Sequence, residues 1–166
     1  MKRLLSIIGA ISLVGTSTTS LVACNTPQEY TPEELAKLKE KNNINTKDGI
    51  LEWITPQEKP FNTIDNKWYY VVWRSNSSEN WNITKFKNDK KIDKDNYKNL
   101  NKNLYIGTTT GVGYSFNDLF INNNSGILWK KDIGFYFKSV YRWNGEEQKL
   151  PNLDIDKDGN VIVKDK

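Results

Sequence analysis

Apolar and polar positions alternate over short stretches through most of this chain, and the densest apolar run is KWYYVVWR at 67–74. Trp68, Tyr70 and Val72 fall on one face of a strand, and Tyr69, Val71 and Trp73 on the other. A strand apolar on both faces predicts a central position covered from both sides. Residues 50–54 form a shorter, half-apolar strand. Residues 75–80 (SNSSEN) read as a turn, and 81–87 as the returning arm of a hairpin. Trp81 and Ile83 share one face there while Phe86 falls on the other, so a bulge or strand end is expected near Lys85.

Residues 88–103 are charged and Asn-rich and are expected to form a solvated loop. Short strands follow at 104–106, 112–116 and 119–121, with a turn at 122–126. Further strands are expected at 127–130 and 133–143, the latter with Phe135, Phe137, Tyr141 and Trp143 on one face. Residues 153–163 read as a hairpin about Asp158 and Gly159. The single helical signal lies earlier. Thr31 is a capping residue, Pro32 suits the first helical position, and Glu34 completes a capping box, which predicts a helix to about Asn42. Short strands with turns at regular intervals predict a mainly β fold, a small antiparallel β-sandwich or partly open barrel preceded by one short N-terminal helix.

The N-terminus follows a different pattern. Lys2 and Arg3 are followed by an apolar stretch at 4–14 (LLSIIGAISLV), a small polar stretch at 15–20, and Leu21-Val22-Ala23-Cys24. The tripartite order predicts a secretory signal, with the two cations retained on the cytoplasmic side. Two other readings exist. An uncleaved helix over 4–23 has about the 20 residues a bilayer requires, but Ser12 and the run at 16–20 leave its second half poorly apolar. A soluble secreted chain would carry Cys24 by chance. The Leu-x-Ala-Cys tetrapeptide at this distance from Met1 resembles a bacterial lipobox. That resemblance implies cleavage between Ala23 and Cys24 and a diacylglycerol group on the Cys24 sulfur, the thiolate being the nucleophile. Each buried CH₂ contributes about 0.8 kcal/mol and one short chain binds only reversibly, so two acyl chains on one sulfur would hold the protein firmly.

The expected organisation is a signal peptide at 1–23, a lipidated cysteine with tether and helix at 24–49, and a β-rich extracytoplasmic domain at 50–166. Asn, Lys and Ile, residues with A/T-rich codons, are abundant. With the signal sequence, this is similar to lipoproteins of wall-less bacteria of the spiroplasma type. WYYVVWR (68–74) and VYRWN (140–144) also resemble segments of uncharacterised lipoproteins of that group, a resemblance that implies no activity.

Charge and missing residues narrow the chemistry. The net charge is +4 and the chain has no histidine. Lys2 and Arg3 leave with the signal and no acid does, so the mature balance is +2, too small to indicate nucleic-acid binding. Without histidine there is no Ser-His-Asp or Cys-His catalysis and no His-ligated zinc. With Cys24 acylated there is no disulfide, so packing must hold the domain together. No cofactor is expected.

Five features are candidate sites. Residues 154–165 (DIDKDGNVIVKD) place Asp154, Asp156, Asp158 and Asp165 at positions one, three, five and twelve of a calcium loop, with Gly159 at six. The preceding Leu150-Pro151-Asn152 is not helical, and Ile155 on one side with Val161 to Val163 on the other favours a plain hairpin instead. The glycine-rich stretch at 107–113 reads as a turn between strands rather than a phosphate loop. Glu52, Glu58, Asp65, Glu79, Asp118, Glu146 and Glu147 are available for carboxylate catalysis, but no spacing pairs them. Trp68, Trp73 and Trp143 sit in strand patterns and are expected in the core, whereas Trp81 and Trp129 are expected to be exposed. The lysine-bearing run at 85–102 is expected to be a solvated face, with contact to anionic lipid headgroups as the other reading.

The expectation is a membrane-anchored extracytoplasmic lipoprotein without catalysis, a surface interaction or display module for an unknown surface protein or glycan. The alternative is a carbohydrate-binding or carbohydrate-acting surface domain.

Overall fold

A computed structural model describes residues 29–123 and 126–164. Ala23, Cys24 and Asp165, three of the residues singled out above, lie outside them.

The chain is mainly β, with antiparallel pairing throughout and one α-helix near the N-terminus among the described residues. Helix α1 spans Pro32–Asn42 and starts where the capping signal placed it. The Glu34 amide donates to Thr31 Oγ1 (3.3 Å), and the Thr31 amide donates to Glu34 Oε2 (2.9 Å). No residue of α1 is fully buried. The helix is fastened by charge: Lys39 Nζ reaches Glu52 Oε1 and Glu58 Oε2, both at 2.7 Å, and the Trp53 carbonyl at 3.1 Å.

One sheet contains β1 (Ile44–Asn45), β2 (Gly49–Ile54), β3 (Trp68–Trp73), β4 (Asn82–Lys87) and a later strand, β9 (Phe137–Gly145), in the order β1-β2-β9-β3-β4. The second contains β5 (Lys98–Asn101), β6 (Leu104–Gly111), β7 (Tyr114–Ile121) and β8 (Ile127–Leu128), in sequential order. A separate hairpin, β10 (Leu153–Ile155) with β11 (Val161–Val163), completes the fold. Gly159 takes φ +80° at its turn, a conformation that disfavours side chains with a Cβ.

The main core is shared by the two sheets. Ile54, Tyr69, Val71, Trp73, Phe86 and Val140 from the first meet Leu104, Ile106, Leu119 and Ile121 from the second. The other face of the first sheet carries a smaller cluster of Leu51, Tyr70, Tyr141 and Trp143, covered by Leu150, Leu153 and Val161. Strand β3 is therefore interior and apolar on both faces, as its sequence pattern predicts.

Several local expectations are corrected. The β3–β4 register runs unbroken from Trp68↔Lys87 to Trp73↔Asn82, so there is no bulge at Lys85. Both faces of β4 are covered, and Ile83 and Phe86 serve different clusters. The irregularity lies between β3 and β9 instead: Val72 pairs with Ser139 but Trp73 with Phe137, leaving Lys138 as the extra residue. This bulge turns Phe137 into the shared core with Val140, away from the face of Tyr141 and Trp143. Ile133 and Phe135 precede β9 and are exposed.

The stretch at 107–113 is mostly strand, with Gly107 to Gly111 inside β6 and only Val112 and Gly113 at the hairpin tip. Residues 88–103 are not simply solvated: Asn88 and Ile92 are buried, and β5 occupies 98–101. Trp129, expected at the surface, is only 6% exposed. It opens a short 3-10 turn, Trp129–Lys131, and its ring packs 6.2 Å from that of Phe61. Trp81 is half-buried, with the Arg74 guanidinium 4.4 Å from its ring centre.

These placements predict different costs for two truncations. Trp129→Ala should destabilise the domain by about 3–5 kcal/mol by leaving a core cavity, and Trp81→Ala by roughly 1–2 kcal/mol. Urea unfolding of the two variants checks this, and equal costs would contradict the assigned burial.

Candidate functional site

The region where the chain enters the domain carries the most organised exposed surface. Tyr30 is pinned to the loop after β2 by a reciprocal pair. Its amide donates to Gln57 Oε1 (2.8 Å), and Gln57 Nε2 donates to its carbonyl (3.0 Å). Beside it lies an open cavity of about 300 Å³, bordered by Glu29, Tyr30, Trp53, Trp129, Ile133 and Lys138 among others. One wall is the loop at 131–136. Asp132 organises that loop, its Oδ2 accepting the amides of Gly134 (3.1 Å), Tyr136 (3.1 Å) and Phe137 (2.9 Å). Gly134 takes φ +93°, which lets the loop reverse. Arg74 clamps the far side, its amide donating to the Tyr136 carbonyl (2.9 Å) and its Nε to the Phe135 carbonyl (2.6 Å). The loop is thus held by its backbone, while Ile133 and Phe135 are 71% and 56% exposed.

The segment leading into this loop is fixed by Asp118 on β7, a carboxylate only 3% exposed. Its Oδ1 accepts the Leu119 amide (2.9 Å) and its Oδ2 the Lys130 amide (3.0 Å). Burial pushes its pKa up to about 7, against the opposing pull of the two amides and the Lys130 charge. Lys130 Nζ itself lies 4.7 Å from the Phe116 ring centre.

The remaining acids weighed for catalysis are committed locally. Glu52 receives Arg142 (2.7 Å), Lys39 and Asn144 (2.8 Å). Burial alone would raise the Glu52 pKa, but the hydrogen bonds from Lys39 and Arg142 outweigh it and hold the carboxyl below the ordinary carboxylate range. Glu58 pairs with Lys39, Asp65 accepts from Tyr69 Oη (2.7 Å), and Glu79 from Ser75 Oγ (2.5 Å). Glu146 and Glu147 pair with Lys149 and Lys87.

Of the calcium candidates, Asp154 and Asp156 are likewise turned to their own hairpin. Asp154 pairs with Lys164 (2.8 Å), and its Oδ1 accepts the Ile155 amide. Asp156 accepts the amides of Asp158 and Asn160 and the Asn160 side chain. Among the described residues, no group of three or more acidic, histidine or cysteine side chains is placed to hold a metal ion.

Two features escaped sequence reasoning. On the outer side of the second sheet, Tyr105 stacks on Phe120 (5.3 Å between ring centres), and Tyr97, 67% exposed, meets Tyr105 edge-on at 5.5 Å. Lys98, Asn99, Asn101 and Lys102 adjoin them in sequence. The alternation of Leu104 and Ile106 with Tyr105 carried this signal, but only once the strand is read at its full length. Below the C-terminal hairpin, the buried Tyr70 hydroxyl has no hydrogen-bond partner among the described residues and borders a cavity of about 340 Å³ with Ile83, Lys85, Leu150 and Leu153.

The Asp118 environment predicts a pH dependence with a definite sign. Its folded pKa lies above the unfolded value of about 3.9, so folding takes up a proton between roughly pH 4 and 7, and this group's contribution to stability falls as pH rises through that window. No histidine is present to titrate there. Chemical denaturation should give lower stability at about pH 8 than at about pH 5, by a few kcal/mol at most, with the difference largely removed in Asp118→Asn. A flat profile in the parent would contradict the assignment.

The chain is 30% identical over 91 residues to the uncharacterised protein ORF1 of Spiroplasma virus SpV1-R8A2 B, a match covering 54% of this chain and 8% of that protein. No family model and no solved structure matches. Over about half its length, then, the chain is similar to a small part of an uncharacterised protein from a virus of Spiroplasma.

Proposed function

We propose that this protein is a lipoprotein anchored through Cys24 on the extracytoplasmic face of the cell membrane, and that its β domain is a non-catalytic display module for a surface partner. The observation that carries the reading is the order of Lys2-Arg3, the apolar 4–14 stretch and Leu21-Val22-Ala23-Cys24. The similarity to a Spiroplasma virus protein agrees with the A/T-rich codon bias of the composition. Among the described residues no helix is long and apolar enough to cross a membrane.

Display is favoured by where the chemistry-bearing side chains lie. The acids available for catalysis are paired or buried, whereas Tyr97, Tyr105 and Phe120 offer an aromatic surface among asparagines and lysines. Aromatic side chains give large contact area at low conformational cost. The same three rings favour the second reading, a glycan-binding domain, since sugar rings stack on such surfaces.

The anchor is tested by Cys24→Ala. The variant should accumulate as unprocessed, unlipidated precursor, read by membrane fractionation and by metabolic labelling with a fatty-acid analogue. Normal processing and label incorporation in that variant would refute the reading.

A further inference from the structure

The residues nearest the proposed anchor are not neutral bystanders. Four residues separate Cys24 from Glu29, and five steps along the chain at about 3.6 Å each span at most about 18 Å between them. Glu29 and Tyr30 border the same cavity as Ile133, Gly134 and Lys138. A lipid on Cys24 would therefore hold the 131–136 loop close to the bilayer surface.

The chemistry of the loop fits that surface. Ile133 and Phe135 are exposed although the loop backbone is fixed by Asp132 and Arg74. Two large apolar side chains are thus presented outward by a preorganised turn, at little further ordering cost on insertion. Lys131 and Lys138 flank them and are exposed. The acid within the loop, Asp132, has Oδ2 occupied by three amides, and Glu29 is the other acid bordering the cavity. Apolar tips flanked by two exposed lysines match a bilayer with anionic headgroups, where each nearby lysine adds attraction to the surface.

We propose that the loop at 131–136 is a second membrane contact, in which Ile133 and Phe135 enter the headgroup region of an anionic phospholipid bilayer and Lys131 and Lys138 pair with its phosphates. The proposal rests on lipidation at Cys24. Its consequence is orientation: the domain is fixed against the membrane at two points rather than swinging on a tether.

The test uses the full lipidated chain reconstituted into vesicles of phosphatidylcholine mixed with phosphatidylglycerol. In that protein the Cys24 sulfur is blocked by lipid, so Ile133→Cys provides a unique site for an environment-sensitive fluorophore. Val112→Cys, at the fully exposed β6–β7 hairpin tip, is the reference. The label at 133 should shift to shorter wavelength and be several-fold less accessible to an aqueous quencher than the label at 112. Adding Lys131→Glu and Lys138→Glu should restore much of that access. Equal quenching at the two positions, in protein that floats with the vesicles, would overturn the loop contact while leaving the anchor intact. Protection seen only in intact cells would overturn it in favour of a protein partner. Protein that fails to float and takes up label at a free Cys24 thiol would remove the anchor, and this proposal with it.

Discussion

The domain depends on Phe61. This ring, on the short turn Pro60–Asn62, enters the space between the two sheets and meets Tyr69 (5.2 Å), Phe86 (5.7 Å) and Trp129 (6.2 Å between centres). Its carbonyl accepts Asn117 Nδ2 (2.9 Å), and the neighbouring Asn62 Oδ1 accepts the Asn117 amide (2.8 Å). One turn thereby joins two strands of the first sheet, the centre of β7 and the segment after β8. Aromatic rings bury roughly 150–250 Å² each, so a cluster of four supplies the bulk a small domain without disulfides requires.

The surface features follow from that closure. Burying Trp129 fixes the start of the 129–136 segment, and Asp118 fastens the Lys130 amide behind it. The bulge at Lys138 sends Phe137 back into the core. With both ends committed, the residues between them must project, and Ile133 and Phe135 do so on a backbone held by Asp132 and Arg74. The chain enters beside this projection, pinned at Tyr30. The opposite outcome governs Tyr105 and Phe120: they lie on the face of the second sheet turned from the core and stack on each other, and Tyr97, just before β5, meets Tyr105 edge-on.

Elements whose signals are local were legible in the sequence. The capping box set the start of α1, and the doubly apolar 68–73 run marked an interior strand. The hairpin at 153–163 was visible from its glycine turn. What was not legible depended on partners distant in sequence. Trp129 precedes two lysines and reads as exposed, yet Phe61, 68 residues away, buries it. The face of Phe137 could not be read from strict alternation because the bulge forms only against β3. The threonines at 108–110 look like turn residues among glycines, but pairing with β7 draws them into a strand. In the candidate site, the loop beside Tyr30 was not legible, because its exposure results from tertiary closure rather than composition. Cys24, read from its motif, lies outside the described residues.

The proposed anchor rests on the chemical state of Cys24, and intact mass spectrometry of the native protein addresses it directly. Lipidation predicts a mature chain beginning at Cys24 and carrying acyl mass on that residue. A chain that retains residues 1–23 with an unmodified thiol would contradict it.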